Sequence, residues 1–147
     1  MQPPKPSFFR VFNCKCPRCR RGDMFLHSHP YQKGFMKMPD TCSVCGQYFD
    51  LEPGFYYGSS YVSYGLTVAF SVATFVAWAV LIGISSQDNR IFYWLITNGV
   101  LLLVLQPYFM RLSRALWLWM FVKYNRNWQT TPAPKPERIN ESQKNAW

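Results

Sequence analysis

The chain has 147 residues, which allows one ordinary domain or a small head joined to a small membrane unit. Its formal net charge is +9, and aromatic residues make up 18% of it. Mean hydropathy is slightly negative, but the apolar residues are concentrated between Tyr61 and Val122, which argues against an ordinary soluble domain. A basic balance indicates nucleic acid, an anionic membrane surface or the cytoplasmic side of a membrane, and the placement of the charges decides among them.

The first seven residues contain three prolines, and we predict a disordered tail over residues 1–7. We expect no secretory signal here, so the first apolar span would insert as an internal signal-anchor. Residues 8–12 (FFRVF) follow. They are predicted to form a short strand, with a patch resting on a bilayer as the alternative.

Two C-x-x-C pairs follow, and 22 residues separate them. The cysteines of these pairs are Cys16, Cys19, Cys42 and Cys45. A zinc site with four cysteine ligands uses two such pairs, each in a tight turn. The pattern therefore predicts a structural Zn²⁺ in a zinc-ribbon-like head over residues 8–58. The competing interpretation is a redox dithiol, but nothing here supplies the βαβ context of such motifs.

The residues around the pairs refine this prediction. Gly22 and Gly46 follow the two turns, where a glycine relieves left-handed strain. Four cations surround the first pair and should favour deprotonated sulfurs. They are Lys15, Arg18, Arg20 and Arg21.

Other residues of the head have weaker signals. Cys14 is predicted to be a spare thiol, because its C-x-C spacing does not fit the first turn. His27 and His29 form an H-x-H that we assign to the loop between the pairs, with a metal-ligand role as the alternative. The segments Met24–Leu26 and Tyr48–Phe49 are predicted to be short strands.

A joint connects the head to the apolar region. Pro53 and Gly54 predict a turn, which Glu52 is expected to cap or fix, with a functional carboxylate as the alternative. Four tyrosines follow, which we expect at the headgroups of a bilayer. They are Tyr56, Tyr57, Tyr61 and Tyr64.

Residues 59–124 are predicted to be a transmembrane hairpin, with uncharged spans at about 61–84 and 91–110. Small residues at four-residue spacing on the first span predict a helix-packing stripe. The stripe comprises Gly65, Ala69, Ala73 and Ala77. Asn98 is expected to form a hydrogen bond with the first helix, and Pro107 to kink the second.

The segment after the second span is apolar and aromatic, with cations at both ends. Residues 111–123 therefore either lengthen the second helix or lie along the interface, with Arg111 and Arg114 at the headgroups. Three prolines follow Asn127, and we predict a disordered tail over residues 125–147.

The basic residues are unevenly distributed: eight precede Tyr61, one lies between the spans and seven follow Met110. The positive-inside rule then predicts a multi-pass protein with both termini in the cytoplasm. This accounts for most of the charge without nucleic acid. It also places the cysteines in a reducing compartment, where metal ligation is favoured over disulfides.

Several motifs resemble a bacterial membrane family known as domain of unknown function 983. They are CPRCRRG (16–22), CSVCG (42–46), EPGFYYG (52–58), YVSYGL (61–66) and QPYFMRLSR (106–114). The resemblance extends over roughly residues 8–125. It implies two transmembrane helices, a cytoplasmic zinc-ribbon-like head and a bacterial inner-membrane location. Some relatives are encoded beside cytochrome oxidase components, which suggests a role in a respiratory complex, but no activity is established.

Together these features predict a mainly α membrane protein that is not an enzyme, since no catalytic constellation or small-molecule site is evident. We expect an adaptor, accessory subunit or assembly factor that contacts the lipid bilayer and either a membrane complex or a second copy of itself. The first alternative is a metal-handling or thiol-redox factor that uses Cys14, Cys16 and Cys19. The second is a nucleic-acid-binding zinc ribbon, for which no base-reading or stacking surface is evident.

Overall fold

The computed structural model describes residues 7–83, 85 and 88–136. Over these residues the chain is mainly helical, and they contain no strand. Two short 3₁₀ helices, Phe8–Val11 and Phe55–Gly58, precede two long α-helices, α1 (Ser59–Leu81) and α2 (Arg90–Phe121). This confirms a mainly helical chain with two apolar helices. These elements alone do not show whether the two helices cross a membrane or whether the head is a zinc ribbon.

The three predicted strands of the head are wrong. Residues 8–11 form a 3₁₀ helix, and the Ser7 hydroxyl caps it by accepting a hydrogen bond from the Phe9 N–H. Within the described chain, Tyr48 makes only an isolated bridge with Thr41, and the nearest bridge to Met24–Leu26 is the isolated pair Lys15–Asp23 just before it. The side chains of Met24 and Phe49 are instead buried among the cysteines, so packing on the metal-binding turns replaces strand pairing.

Helix α1 begins two residues before the predicted span and ends three residues before its end. Gly83, with a φ of 80°, follows the last turn and adopts the left-handed conformation that commonly terminates helices. Ile84, the predicted last residue of the span, lies outside the described residues. The helix has 23 residues and is therefore about 35 Å long.

Helix α2 continues without interruption through the predicted second span and through residues 111–121. The extension therefore lengthens the helix, as in the first of the two interpretations above. Pro107 lies inside α2 and removes one helical N–H donor. One turn earlier, the Tyr31 hydroxyl donates a hydrogen bond of 2.6 Å to the Val104 carbonyl, so a loop of the head lies beside this part of α2.

The two helices pack through a polar contact at Asn98 and through two aromatic pairs, one of which is Phe70–Phe109 with ring centroids 5.6 Å apart. The Asn98 amide accepts a hydrogen bond from Thr74 (2.9 Å) and donates one to Ser71 (3.2 Å), which confirms the predicted interhelical role of Asn98. Nearer the turn, Phe75 meets Trp94 with ring centroids 5.0 Å apart. Both helices are long and apolar enough to cross a membrane.

The small-residue stripe of α1 does not contact α2. Its four members are exposed, and a Cβ added at Gly65 would meet no atom within 4 Å. The opposite face of α1, which is less exposed, presents hydroxyl groups instead. These belong to Ser59, Ser63, Thr67, Ser71 and Thr74. Their spacing of three or four residues is a visible signal in the sequence for the face that meets α2, while the packing of the small-residue stripe on another helix stays a prediction.

Residues 125–132, which lie in the segment predicted to be a disordered tail, contact the head. The Asn125 N–H donates to the Arg18 carbonyl (3.2 Å), and the Arg18 guanidinium donates to the Thr131 carbonyl (2.6 Å). Trp128 packs against the core of the head. Residues 1–6 and 137–147, where disorder was also predicted, lie outside the described residues.

Candidate metal centre

The two cysteine turns have the same backbone construction. In each, the N–H of the residue after the second cysteine donates to the carbonyl of the first, at 2.7 Å for Arg20 and 2.9 Å for Gly46. That residue is left-handed in both turns, with a φ of 56° at Arg20 and 68° at Gly46. The two C-x-x-C segments therefore fold into matching hooks.

The glycine prediction holds for Gly46 and is wrong for Gly22. In the first turn the left-handed residue is Arg20, and Gly22 has a different role. A Cβ at Gly22 would lie 2.4 Å from the Cys42 sulfur. Gly22 is thus required because the second turn approaches the first at this point.

The structure brings the four predicted ligands together. Their Sγ atoms lie within 4.8 Å of one another. The Cys16–Cys45 and Cys19–Cys42 sulfur pairs are 3.7 and 3.8 Å apart. A tetrahedral ion with metal–sulfur bonds of about 2.3 Å requires sulfur–sulfur distances of about 3.8 Å. The cluster therefore has the size that a tetrahedral metal ion needs.

The thiols perturb one another strongly. Hydrogen bonding with Cys16 lowers the pKa of Cys19 and lowers the pKa of Cys42 to about 6. The same bonding, with Cys19 as the largest contribution, raises the pKa of Cys16. The cluster thus favours thiolates at two positions before any cation adds its charge, and thiolates are the form that binds metal.

The cations around the first pair make specific contacts of their own, and their predicted effect on the sulfurs stays a prediction. Arg18 donates to the carbonyls of Cys45 (3.4 Å) and Thr131, and Arg20 stacks on the Trp119 and Tyr124 rings at 4.6 and 4.7 Å. Lys15 pairs with Asp23. The two arginines therefore use their charge to fix the first turn against the second turn and the C-terminal segment.

The cluster is sealed by apolar side chains from the head and from α2. Cys16, Cys19 and Cys42 are buried, and Cys45 is half-buried. The remaining buried members of this core are Met24, Phe25, Phe49, Ala115 and Leu118. Since Ala115 and Leu118 belong to α2, the long helix supplies part of the metal centre's packing.

Cys14 lies beside the cluster but is not one of its four members. Its backbone is left-handed, with a φ of 51°. Burial raises the pKa of its thiol to about 11, although Arg111 opposes the shift. A reactive thiol needs the opposite shift, so this environment favours the spare-thiol interpretation.

Neither histidine of the H-x-H joins the cysteine cluster, which among the described residues consists of cysteines alone. The His27 carbonyl instead accepts a hydrogen bond of 2.8 Å from Arg111. Arg111 also donates to the carbonyls of Ser28 (3.1 Å) and Phe35 (2.9 Å), and its guanidinium lies 4.8 Å from the Phe25 ring centre. One arginine of α2 thus fixes the loop between the cysteine pairs.

Arg111 and Arg114 were expected at lipid headgroups, but both are buried inside the head. Arg114 donates to the Met36 carbonyl (3.3 Å) and lies over the Tyr56 ring at 5.2 Å. The sequence does contain a signal for this arrangement. Two arginines three residues apart in a helix share one face, so a single loop contacts both.

The joint packs on α2 as well. Glu52 is exposed and fixes the turn through its backbone, whose carbonyl accepts from the Phe55 N–H (3.0 Å). The Trp117 indole donates to the Phe55 carbonyl (2.8 Å), and a Cβ at Gly58 would lie 2.1 Å from the Trp117 ring. Gly58 therefore permits close approach of the joint to α2.

The four tyrosines of the joint divide into two groups. Tyr56 is buried and donates a hydrogen bond of 2.7 Å to the Phe49 carbonyl, so its predicted headgroup position is wrong. The other three, Tyr57, Tyr61 and Tyr64, are exposed beside the start of α1.

Comparison with known proteins identifies the family of this chain and no individual relative. No curated protein and no solved structure matches the chain. A family model described as "Protein of unknown function (DUF983)" matches residues 32–124. The match includes the second cysteine turn, the joint and both long helices, and it begins after the first cysteine turn. Because the match covers more than half of the chain, the protein belongs to this family, in agreement with the resemblance in its motifs.

Proposed function

We propose that this protein is a non-enzymatic membrane protein that acts as an adaptor, accessory subunit or assembly factor of a larger membrane complex. Its head would be a rigid cytoplasmic module held by a structural zinc ion. The observation that carries the proposal is the packing of the cysteine cluster on Ala115 and Leu118 of α2. A metal ion at this position would fix the head directly to a membrane helix.

The exposed surface of the helices supports the membrane location. Large apolar side chains along α1 and the first half of α2 are exposed, including Val80, Ile96 and Leu103. Such a surface requires either a bilayer or partner helices. The excess of Lys and Arg on both flanks of the hairpin favours cytoplasmic termini.

The ligand set supports zinc. Four thiolates in a tetrahedron suit Zn²⁺ or an iron centre, and a site with four protein ligands leaves no open position for substrate. Zinc at such a site would supply folding energy and no redox chemistry. We expect about one zinc ion per chain, measured by elemental analysis; iron would produce visible absorbance and contradict the zinc assignment.

The outward-facing stripe of α1 supports a partner in the membrane. Small residues allow a second helix to approach closely, and Gly65 has open space around it. The partner would be a helix of a larger complex, with a respiratory oxidase suggested by the family resemblance, or a second copy of this chain.

Affinity purification in a mild detergent tests this function, with co-purifying membrane proteins as the readout. We expect a defined set of partners with the native chain and their loss with Gly65→Leu/Ala69→Leu, which fills the stripe without touching α2. Ile96→Leu, at an exposed position of α2, is the control and should retain them. Recovery of a bare monomer under several mild conditions would contradict the adaptor role.

A further inference from the structure

Two pieces of the head lie against one face of α2, close to the apolar half of that helix. The Phe12 carbonyl, which follows the first 3₁₀ helix, accepts a hydrogen bond of 3.0 Å from the Tyr108 hydroxyl. The Tyr31 hydroxyl, in the loop between the cysteine pairs, donates to the Val104 carbonyl. Tyr108 and Val104 are four residues apart and therefore share a face of the helix. Phe12 and Pro30 also line one cavity, so the two pieces are neighbours.

The length of the helices gives the level of this contact in a bilayer. A hydrocarbon core of about 30 Å corresponds to about 20 helical residues. With the turn between the helices at one membrane surface, this length extends from Leu81 to Tyr61 on α1 and from Arg90 to Met110 on α2. Val104 is about 9 Å closer to the turn than Met110. The loop that contacts Val104 would therefore reach into the level of the acyl chains.

The exposed tyrosines of α1 indicate the same level independently. Tyr64 lines a cavity together with Gln106 and Met110 of α2, so these residues lie at similar heights along the hairpin. Tyr61 and Tyr64 are exposed, and tyrosines at the ends of membrane spans occupy the interface with water. The contact at Val104 is closer to the turn than Gln106, and it is therefore at or inside this interface.

Three exposed aromatic side chains of the head, which we call the aromatic patch, accompany these contacts. They are Phe9, Phe12 and Tyr31. The Phe9 and Phe12 rings stack with centroids 6.4 Å apart, and the Phe12 N–H donates to the Phe9 carbonyl (3.2 Å). The Phe12 carbonyl and the Tyr31 hydroxyl are bonded to α2. These polar groups are satisfied, as apolar surroundings require.

The segments that contain the aromatic patch are basic. Residues 7–22 and 24–39 contain no acidic residue. Arg10 and Lys33 lie beside the patch in the sequence, and both are exposed. Aromatic rings and cations occur together at the boundary between acyl chains and lipid phosphates. The composition of the patch and its level on the hairpin together favour a lipid bilayer as its occupant.

We propose that the head is partly embedded in the leaflet of the bilayer that faces it, with the aromatic patch between lipid molecules beside α2. The rings contact the outer part of the acyl chains, and Arg10 and Lys33 lie at the phosphates. The proposal rests on the membrane location proposed above. Since the first 3₁₀ helix leads directly into the first cysteine turn, lipid contact at the patch would fix the orientation of the metal centre relative to the membrane.

Photolabelling of the unsubstituted chain tests this contact. The full-length protein is reconstituted into vesicles of phosphatidylethanolamine and phosphatidylglycerol that contain a lipid-soluble aryl diazirine, and labelled residues are located by mass spectrometry. Leu103, exposed in the first half of α2, is the reference for full lipid contact. Because the apolar reagent concentrates in the bilayer, we expect labelling of Phe9, Phe12 and Tyr31 within about threefold of Leu103.

Val44 is the matched control within the same chain. It is 42% exposed, against 44% for Phe12. It belongs to the second cysteine turn, and the cysteine cluster packs on Leu118, about 21 Å beyond Val104 along α2. We therefore expect about tenfold less labelling of Val44 than of the aromatic patch. Labelling of the patch no stronger than that of Val44 would overturn the proposal.

A photoreactive residue in the patch separates lipid from a protein partner. Phe12→p-benzoylphenylalanine is irradiated in the membranes of the expressing cells, where both kinds of partner are present. We expect adducts with the mass of a phospholipid, joined through an acyl chain. The same substitution at Gln129, exposed in the segment that contacts Arg18, is the control and should give no lipid adduct. Cross-links from residue 12 to another protein in place of lipid would also overturn the proposal.

The reference residue distinguishes failure of this inference from failure of the membrane location. If Leu103 is labelled and the aromatic patch is not, the hairpin is in the bilayer and the head stands clear of it. If Leu103 is also unlabelled and alkaline carbonate extracts the chain from membranes, the membrane location itself is wrong and the inference falls with it.

Discussion

The two halves of α2 differ in which side chains they expose and which they bury. In the first half the apolar side chains face outward: Ile96 and Leu103 are 66% and 78% exposed. In the second half the charged side chains are buried, and Arg111 and Arg114 are only 5% and 8% exposed. One continuous helix thus resembles a lipid-facing segment at one end and the core of a soluble domain at the other.

The difference shows what each half requires from its surroundings. The first half needs an apolar solvent or partner helices, because burial inside this chain leaves most of its apolar surface uncovered. The second half is covered by the head, whose backbone carbonyls accept hydrogen bonds from Arg111 and Arg114. A buried cation is tolerated where its donors are satisfied in this way. The head therefore covers the second half of α2, and the four-cysteine cluster packs directly on that half through Ala115 and Leu118.

The largest expected effect comes from removing that cover. Cys16→Ser deletes one of four ligands, and a structural metal of this type supplies roughly 10 kcal/mol of folding free energy. We expect metal content to fall about tenfold and the second half of α2 to become accessible to protease, while the first half remains protected by the bilayer. Elemental analysis and limited proteolysis in membranes measure the two results.

Cys14→Ser is the matched control, since Cys14 lies next to the cluster without belonging to it. Its metal content and protease pattern should equal those of the native chain. Loss of metal in Cys14→Ser, or full metal retention in Cys16→Ser, would show that the ligand assignment is wrong.

The next effect concerns the contact between α2 and the loop. Arg111→Met retains an apolar stem but removes the donors to three carbonyls, and the loss should destabilise the head by about 3 kcal/mol. We expect metal release to a chelator at a lower denaturant concentration. Arg21→Met changes an exposed arginine of the same head and should leave the release curve unchanged. Equal curves for both variants would mean that Arg111 does not hold the loop.

The sequence predicted the features that depend on local spacing. The paired cysteines, the two apolar helices and the contact of Asn98 with the first helix follow from motif spacing, span length and the cost of a buried amide. Each of these can be inferred from a short stretch of chain without knowledge of the rest.

The features that the sequence did not predict depend on distant contacts. Burial of Arg111 requires a loop more than seventy residues earlier in the chain, and the contact of residues 125–132 with the head requires Arg18. From its charge alone, Arg111 was predicted to lie at the lipid headgroups. From their proline content, residues 125–132 were predicted to be disordered. The failed strands have a related cause, since packing on the cysteine turns outweighs the β-propensity of a few residues.

A smaller effect tests how closely the joint approaches the second half of α2. A Cβ at Gly58 would overlap the Trp117 ring, so Gly58→Ala should shift the indole and destabilise the head by about 2 kcal/mol. Gly65→Ala provides the contrast, because Gly65 has open space and alanine favours a helix. Tryptophan fluorescence during thermal unfolding should show a lower midpoint for Gly58→Ala alone. The same midpoint for both variants would contradict the close approach.

The smallest expected effect lies in the first half of α2, where Asn98 joins Thr74 and Ser71 of α1. Interhelical hydrogen bonds within membranes contribute about 0.6 kcal/mol on average, because the separated helices also find partners. Asn98→Leu and Thr74→Val should therefore each lower stability slightly, and a double-mutant cycle should give a coupling energy of about that size. Unfolding in mixed micelles measures it. If the first half of α2 were instead surrounded by water, water molecules would compete for the hydrogen bond between Asn98 and Thr74 and reduce the coupling energy. Exposing the leucine of Asn98→Leu would then cost little free energy. A coupling near zero would thus count against the apolar surroundings that distinguish the first half of α2 from the second.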